Sequence, residues 1–417
     1  MKELDDYDRC FDFENIWRAG VRCGIGVGWK ASVQRYELFL LTKATALYEL
    51  IADGTWQKTT GNFCCFTLVE RGHKRYIRAT TIGERNGQKC LCDNSLVPAV
   101  QATLIYDNGA TMKGKGITFA EERLTKMLRR FIREHGAEEV LHNAYVVVYD
   151  FHGYFDSADH DVLMAMLRRQ YTDERLLETI GKLISDFGER GLGLGSQVSQ
   201  ILALVLATDI DHHLKDRLGV KVYERYMDDG IAVLPTKEEA VRVLGAIQET
   251  ASRLGLELND KKTRIVKLSR GFSFLKVRYT ITETGKIVRK ICRDGTKRMR
   301  RRLKAYRNKL DSGEITIENV EMSMEAYFAH CDRADSHGTK LAFWKRFRRM
   351  FPESDAFLKP RRAPALLAEA VLFKARWEAE NPGKPRGAML HAWKEYRKER
   401  QEDRHDLLQV SFKRKNT

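Results

Sequence analysis

Hydrophobic residues recur along the chain at two different periods, one typical of helices and one typical of strands. The helical period covers residues 30–53, 119–135, 160–170 and 237–255, and a further helix is expected from about residue 197. Extended patterns cover residues 63–70, 74–82, 144–151 and 221–235. Helices and strands mixed in this order predict an α+β fold, with a sheet that is backed by helices.

Two further segments are predicted to lack regular structure. The chain after residue 82 is expected to continue as an irregular connection. Residues 24–28, GIGVG, have the glycines of a phosphate-binding loop. They lack a strand before them and a Lys-Ser/Thr pair after them, so we expect a plain turn.

Composition excludes several classes of protein. The chain has 417 residues and 43% are hydrophobic, which excludes wholesale disorder. No stretch approaches the ~20 apolar residues of a membrane span, and the acidic N-terminus does not resemble a signal peptide. We therefore expect a cytoplasmic protein without a membrane partner. Its eight cysteines lack zinc-ligand spacing, so reduced and mostly packed thiols are expected.

The charge is strongly positive and locally concentrated. The 73 Lys and Arg residues outnumber 57 Asp and Glu, for a net charge of +16, which favours a nucleic-acid partner. Twelve basic residues lie between Lys286 and Lys309, against the single acid Asp294. That run taken alone is also compatible with a solvated basic helix. Five of the seven prolines lie in residues 352–385, which predicts a boundary near residue 350.

Three carboxylates stand at positions that a sheet can bring together. Asp150 ends an apolar strand, while Asp228 and Asp229 lie at the tip of a predicted hairpin. Clustered acids repel each other and raise each other's pKa values, and a divalent cation removes that penalty. An Asp-Asp pair in a hairpin is by itself more often a turn. Combined with Asp150, it predicts a site for two Mg²⁺ ions and in-line phosphoryl transfer.

Several segments resemble, in order and spacing, the motifs of reverse transcriptases of the bacterial, group-II-intron-like lineage. The five palm segments are 146–163, 191–200, 226–229 (YMDD), 254–266 and 271–279. Segments 74–82 and 106–117 resemble the fingers motifs, and 324–339 resembles part of the thumb. The resemblance covers roughly residues 60–345.

The resemblance implies a right-hand polymerase fold with fingers, palm and thumb. Residues 1–140 would form an N-terminal region and the fingers, whose segments interleave with the palm from about residue 60. Residues 141–280 would form the palm, an antiparallel sheet backed by helices. Residues 281–350 would form a basic helical thumb. Residues 351–417 would form a helical C-terminal extension whose role the resemblance does not indicate.

Catalytic roles follow from the same resemblance. Asp150 and Asp228 would hold two Mg²⁺ ions, or Mn²⁺ in their place, with the carbonyl of Phe151 as a further ligand. Asp229 would be the second acid of the hairpin and support the charge balance. Lys262, with its neighbour Lys261 as the alternative, would protonate the leaving pyrophosphate.

The resemblance also assigns nucleotide contacts. Arg75, or alternatively Lys74, would contact the triphosphate of the incoming nucleotide. Phe155 would press on the sugar and exclude a 2′-hydroxyl, unless it is a core aromatic. A further set would face the base pair: Leu194, Gly195 and Gln200.

The segment that contains Leu194 departs from the commonest form of its motif. Leu194 replaces a Gln and Gln200 replaces a Pro, as in reverse transcriptases of diversity-generating retroelements and phage defence. Loss of the side-chain amide predicts lowered fidelity.

Contacts to the nucleic-acid strands are assigned in the same way. Tyr226 would pack under the primer end, and Lys113 and Lys115 would contact template phosphates. The basic helix would lie along a duplex through Arg298, Arg301 and Arg302.

The sequence thus predicts a reverse transcriptase, an RNA-directed DNA polymerase that extends a DNA or RNA primer with dNTPs on an RNA template. Its expected setting is bacterial anti-phage defence, with a structured non-coding RNA or an accessory protein as a further partner. The alternatives are a diversity-generating or mobile retroelement enzyme, an untemplated or protein-primed polymerase, and an inactive nucleic-acid-binding module. The catalytic chemistry is the same for templated and untemplated synthesis, so the sequence leaves these open.

Overall fold

The computed structural model describes residues 4–70 and 73–354, with isolated positions between 373 and 395. The helices α1 to α16 are, in order, Tyr7–Cys10, Phe13–Cys23, Ala31–Leu38, Leu40–Ala52, Ile82–Leu91, Val97–Thr103, Ile117–His135, Ala137–Asn143, His160–Leu167, Glu174–Ser185, Gln197–Leu206, Thr208–His212, Lys237–Arg253, Arg293–Asp311, Ile317–Asp332 and His337–Met350. The strands β1 to β9 are Phe63–Glu70, His73–Thr80, Tyr145–Tyr149, Val222–Tyr226, Asp229–Leu234, Arg264–Lys267, Phe272–Phe274, Val277–Ile281 and Ile287–Ile291. None of the helices described is long and apolar enough to span a bilayer.

The chain divides into two compact units. The larger unit runs to Arg298 and also includes His330–His337, while the smaller unit begins at Met299 and continues from Gly338. Strand β9 lies inside the range predicted for a helical thumb, so the helical part of that range begins with α14. The predicted C-terminal extension, residues 351–417, lies almost entirely outside the described residues.

An antiparallel sheet in the order β4-β5-β3-β6 forms the palm of the larger unit. The register pairs Tyr149 of β3 with Gly230 of β5, which brings the end of β3 beside the β4–β5 turn. A Cβ atom at Gly230 would lie 2.1 Å from the ring of Tyr149, so this close approach requires glycine. The predicted strands at 144–151 and 221–235 are confirmed.

Helices bury the sheet and fix its ends. Helix α11 is almost wholly apolar and buried, and its N-terminus is capped by Ser196, which accepts a hydrogen bond from the amide of Ser199. Helix α13 contacts both β3 and β5 through an apolar stripe that includes Val243 and Ile247. The predicted α+β palm, an antiparallel sheet backed by helices, is therefore confirmed.

Strands β1 and β2 form an antiparallel hairpin, which we call the fingers hairpin. The two strands pair along their whole length, with Phe63 opposite Thr80. The prediction of an irregular connection after it is wrong, because α5 and α6 follow, joined by a π-helical turn. Helix α5 contains Gly83 and Gly87, which weaken its helical pattern in the sequence. Gly87 is needed for packing, since a Cβ atom there would lie 2.2 Å from the Trp56 ring.

A second small sheet, in the order β7-β8-β9, follows the palm. Leu275 and Lys276 form its first turn with φ values of +47° and +68°. A two-residue hairpin of this type requires positive φ at both positions. Lys276 therefore adopts a backbone conformation that favours glycine.

The smaller unit is built on helices α14, α15 and α16. Their apolar faces form one core, made of Met299, Leu303, Val320, Met324, Phe328, Phe343, Phe347 and Phe351. Phe343 and Phe347 are thus core residues of this unit. The opposite face of α14 presents exposed basic side chains, including Arg301 and Arg302.

Cysteine placement agrees with the expectation of mostly packed thiols. All eight cysteines are free, and five of them are buried. Cys64 and Cys65 are exposed on β1.

Candidate active site

Asp150 leaves the end of β3 as a buried carboxylate, 4% exposed. The backbone beyond β3 is held by a short extension of the sheet, because the Asn259 amide donates to the Asp150 carbonyl at 2.8 Å. Phe151 forms an isolated bridge with Leu258 and packs its ring against Tyr149 and Tyr154. The position of Asp150 is therefore fixed on both sides by backbone pairing.

The hairpin of β4 and β5 carries the other two acids at its tip. Tyr226 pairs with Asp229, so the turn consists of Met227 and Asp228, and Met227 has a φ of +55°. Burial, followed by the charges of Asp228 and Asp150, raises the pKa of Asp229 to about 7. Burial and the charge of Asp150 also raise the pKa of Asp228. The three predicted carboxylates thus converge, and their negative charges are costly without a cation.

Lys262 supplies one cation to this cluster. Its Nζ donates to both oxygens of Asp150, at 2.9 and 2.7 Å. The Asp150 carboxylate raises the pKa of Lys262, which keeps this side chain protonated at neutral pH. The chain itself therefore places a protonated lysine at the acids.

The donor set of this cluster fits hard divalent cations, which prefer carboxylate and carbonyl oxygens. Burial and the neighbouring carboxylates raise the pKa values of Asp228 and Asp229, while the charge of Lys262 lowers both. Among the described residues, no three Asp, Glu, His or Cys side chains stand preformed as a metal site. Lys262 covers the two oxygens that Asp150 would offer to an ion.

The fingers hairpin contributes a basic residue toward the cluster. Arg75 pairs with Glu70 across the end of the hairpin, at 3.3 Å, and its charge also lowers the pKa of Asp228. Lys74 precedes Arg75 on β2, so the two side chains point to opposite faces of the hairpin. Of the two predicted triphosphate contacts, Arg75 is the one with an electrostatic effect on the acids.

The segment before α11 joins the fingers hairpin to the palm. The Arg78 amide donates to the Leu194 carbonyl at 2.9 Å, and Gly195 has a φ of +123°. A Cβ atom at Gly195 would lie 2.6 Å from the Arg78 carbonyl oxygen. Gly195 and Gln200 also line a half-open cavity of about 380 Å³, so the predicted contact residues stand at a surface open to a ligand.

Phe155 is half-buried rather than fully packed in the core. Its ring meets Tyr154 edge-on at a centroid distance of 6.0 Å. Its carbonyl accepts a hydrogen bond from the Leu192 amide at 2.6 Å, which holds the 150–155 turn against the segment before α11. One part of the ring is thus packed, and the remainder stays accessible.

The loop before α7 contacts the YMDD turn and the strand that leads into it. The Thr111 hydroxyl contacts the Met227 sulfur at 3.5 Å, and the Gly109 amide donates to the Arg225 carbonyl at 2.8 Å. Lys115 donates to the Tyr106 carbonyl and lies over the rings of Tyr106 and Phe119. In this structure Lys115 therefore braces the loop, whereas Lys113 is exposed.

The other residues predicted to contact nucleic acid are half-buried or exposed. Tyr226 is half-buried at the last position of β4, next to the acids. Three arginines are exposed on α14: Arg298, Arg301 and Arg302.

Sequence reasoning missed the charges on the other face of the hairpin. Arg225 and Asp211 form a fully buried ion pair, with both side chains 0% exposed. The only sequence signal was an arginine in the middle of a predicted strand, next to YMDD. Fourteen residues separate the partners, so no local pattern connects them.

A palm sheet that carries three converging carboxylates, beside an antiparallel fingers hairpin, defines the class of right-hand nucleotide polymerases. Residues 97–279 match the family model described as reverse transcriptase (RNA-dependent DNA polymerase). This part of the chain is thus a reverse transcriptase domain, as its motifs predicted. The model match begins after the fingers hairpin and ends before α14.

Solved telomerase structures are among those similar to the chain. The telomerase of Candida albicans, in complex with a fragment of telomeric RNA, is 14% identical with a TM-score of 0.42, over 54% of this chain and 44% of the telomerase chain. A truncated Candida tropicalis telomerase is 12% identical with a TM-score of 0.43, over 55% of both chains. The chain thus spans about half the length of these telomerases. No curated protein matches the sequence.

Proposed function

We propose that this protein is an RNA-directed DNA polymerase that extends a primer with dNTPs at the Asp150, Asp228 and Asp229 cluster. The observation that carries the proposal is the convergence of these three carboxylates on adjacent strand ends inside a reverse transcriptase domain. Their raised pKa values are the electrostatic signature of a site that binds cations.

Asp150 and Asp228 hold the divalent ions in this proposal, with the Phe151 carbonyl as a further ligand and Mg²⁺ as the ion. Two such ions lower the barrier by activating the attacking hydroxyl and stabilising the departing oxygen. Asp229 balances the charge in this proposal, and burial beside Asp228 and Asp150 raises its pKa to about 7. Replacement of Asp228 by Asn should therefore remove most of the catalytic power.

Lys262 acts as the proton donor in the proposed reaction. The primer 3′-hydroxyl gives up its proton to water and its oxygen bonds to the α-phosphate, the bond to the β-phosphate breaks, and the leaving pyrophosphate takes a proton from Lys262, which water then restores. Lys262 is protonated at the site, and its side chain is 60% exposed, so it is able to turn from Asp150 to the leaving group. General acid catalysis of this kind contributes about 10²–10⁴-fold in rate.

Substrate selection follows from the surrounding side chains. Arg75 contacts the triphosphate, with a guanidinium that suits phosphate oxygens. The partly exposed ring of Phe155 presses on the sugar and excludes a 2′-hydroxyl. Leu194 offers no side-chain amide to the base pair, so we expect lower fidelity than in enzymes that have Gln there. Sequencing of the products against the template measures this.

The direct test is primer extension by the purified protein with Mg²⁺ and four dNTPs. A labelled DNA primer is annealed to an RNA template, annealed to a DNA template of the same sequence, or supplied alone. We expect RNA-dependent extension that Asp228→Asn abolishes. Extension of the primer alone would instead favour a terminal polymerase, and labelling of the protein itself would favour protein priming.

We propose anti-phage defence as the biological setting. The support is the resemblance of residues 193–200, GLGSQVSQ, to the motif variant of defence and diversity-generating reverse transcriptases. Bacteria that express the gene with its neighbouring sequences should resist phage infection, whereas cells with the Asp228→Asn variant should not. Equal plaque numbers in both, together with sequence variation in a nearby gene, would support the diversity-generating alternative.

A further inference from the structure

The YMDD turn rests on a charged network that lies on the opposite face of the β4–β5 hairpin from the acids. Arg225 of β4 donates from Nε to Asp211 at 2.8 and 3.0 Å, and from Nη2 to the same carboxylate at 2.6 Å. Neither side chain has any exposed surface. Burying a charge pair of this kind costs desolvation free energy, so its presence at this position needs a reason other than stability.

The fork of Arg225 also reaches the backbone of the catalytic turn. Its Nη1 donates to the carbonyl of Met227 at 3.0 Å, and Nη2 donates to the Leu204 carbonyl at 3.2 Å. Met227 is a non-glycine residue at φ +55°, a conformation that L side chains adopt rarely and that surrounding contacts must enforce. The hydrogen bond from Arg225 is one contact of that kind, and it fixes the peptide immediately before Asp228.

The same network extends to the strand that carries Asp150. Asp211 accepts a hydrogen bond from the Tyr223 hydroxyl at 2.7 Å, and that hydroxyl contacts the Tyr149 hydroxyl at 2.7 Å. Tyr149 is the residue that precedes Asp150, and it is fully buried. A continuous chain of hydrogen bonds therefore joins the residues immediately before Asp150 and Asp228.

We propose that Arg225 is a positioning residue that, together with Asp211, sets the spacing between Asp150 and the YMDD turn. This inference rests on the proposed function for its catalytic consequence. Apolar side chains of similar size would fill the same space, often without loss of stability. They would donate nothing to the Met227 carbonyl, so the spacing of the acids is the property that the pair provides.

The decisive variant replaces both charges together, Arg225→Met with Asp211→Leu, because removal of one partner alone would leave a buried charge. We expect a folded protein whose Mn²⁺ affinity, measured by electron paramagnetic resonance, is weaker by about tenfold or more. The kcat of primer extension should fall by a similar factor, with the KM for dNTP changed less than about twofold. A purely structural pair would change unfolding without moving Mn²⁺ affinity or kcat.

Arg225→Lys keeps the inference testable if the double variant does not fold. Lysine retains the charge that faces Asp211 but lacks a fork that reaches Asp211 and the Met227 carbonyl together. We expect it to fold and to show the same two losses. The matched control is Arg242→Met, which removes an exposed arginine of α13 and should leave both readouts unchanged.

Wild-type Mn²⁺ affinity and kcat in a folded double variant, or in Arg225→Lys, would overturn the proposal. The Mn²⁺ readout is independent of polymerase activity. A wild-type protein that extends no primer but loses Mn²⁺ affinity in these variants would refute the proposed function and leave the positioning role in place.

Discussion

Acids lie on both sides of the β4–β5 hairpin, and the two sides differ in which groups compensate their negative charges. Asp211 receives hydrogen bonds from Arg225 and Tyr223, and it is completely buried. Among the described residues, none forms an ion pair with Asp228 or Asp229, and burial beside Asp150 raises their pKa values. The charge of Asp211 is thus compensated within the chain, whereas the proposed function assigns a bound cation to the other two acids.

The difference indicates how one hairpin serves both structure and chemistry. The paired side is rigid because every charge has a fixed partner, which is the condition for a buried polar network to specify one geometry. The unpaired side keeps an electrostatic cost in the native state, which bound ions would offset in the proposed function. Substitutions on the two sides should therefore separate stability from activity.

The largest effect is expected on the unpaired side. Asp228→Asn removes a proposed ion ligand and a repulsive charge at once. Primer extension should fall by about 10³-fold or more, since the two ions stabilise most of the developing charge. The free energy of unfolding, measured with urea in the absence of divalent ions, should be equal to that of the wild type or higher. A clear loss of stability would show that Asp228 is a structural residue.

The paired side should behave in the opposite way. Asp211→Ala leaves the Arg225 guanidinium buried without its partner, so the free energy of unfolding should fall by about 3–5 kcal/mol. Urea denaturation monitored by circular dichroism measures this loss. Asp216→Ala, which removes an exposed acid five residues further on, is the matched control and should change little. Unchanged stability in Asp211→Ala would contradict the comparison.

A further acid of the β4–β5 hairpin, Glu224, extends the comparison to the pH dependence of stability. It is buried on β4, and burial, with the charge of Asp107, raises its pKa to about 9 from an ordinary 4.5. Between these two values the native state holds a proton that the unfolded chain has lost. The unfolding free energy should therefore fall as pH rises, by at most ~1.4 kcal/mol per pH unit.

Glu224→Gln should remove that part of the pH dependence. Between pH 6 and 8, the wild type should lose about 2 kcal/mol more than the variant in urea titrations. Glu238→Gln, an exposed glutamate of α13, serves as the control and should follow the wild type. Parallel curves for all three proteins would mean that Glu224 titrates normally.

The smallest effect concerns the sugar pocket. Phe155→Val shortens the ring that faces the incoming nucleotide, and it should raise the kcat/KM ratio of ribonucleotide to deoxynucleotide by about tenfold or more. Single-nucleotide addition with dCTP and CTP measures the ratio. A variant with equally reduced use of both nucleotides would indicate that Phe155 is a packing residue only.

The sequence predicted the palm well because its elements are locally encoded. Apolar strands that end on acids, and a hairpin with YMDD at its tip, show their periods within a few residues. Asp150, Asp228, Asp229 and Lys262 meet in the structure as expected. Helix α5 was missed because Gly87 serves packing against Trp56, which lies outside any local window.

The network behind the hairpin could not have been predicted in the same way. Arg225 and Asp211 meet only because α12 packs against the sheet, and an arginine in a strand carries no pattern of its own. Lys115 shows the same limit. Its sequence context predicts a phosphate contact, while the fold places it on two aromatic rings and a carbonyl.

The most direct test of the central claim is the rate of adding one dNTP to a primer on an RNA template, measured over a series of Mg²⁺ concentrations. The account predicts that the wild-type rate rises with Mg²⁺ to a plateau and disappears with EDTA. At saturating Mg²⁺, Asp150→Asn should be slower by about 10³-fold or more. Addition that resists EDTA, or an Asp150→Asn rate equal to the wild type, would contradict the assignment of this cluster as the catalytic centre.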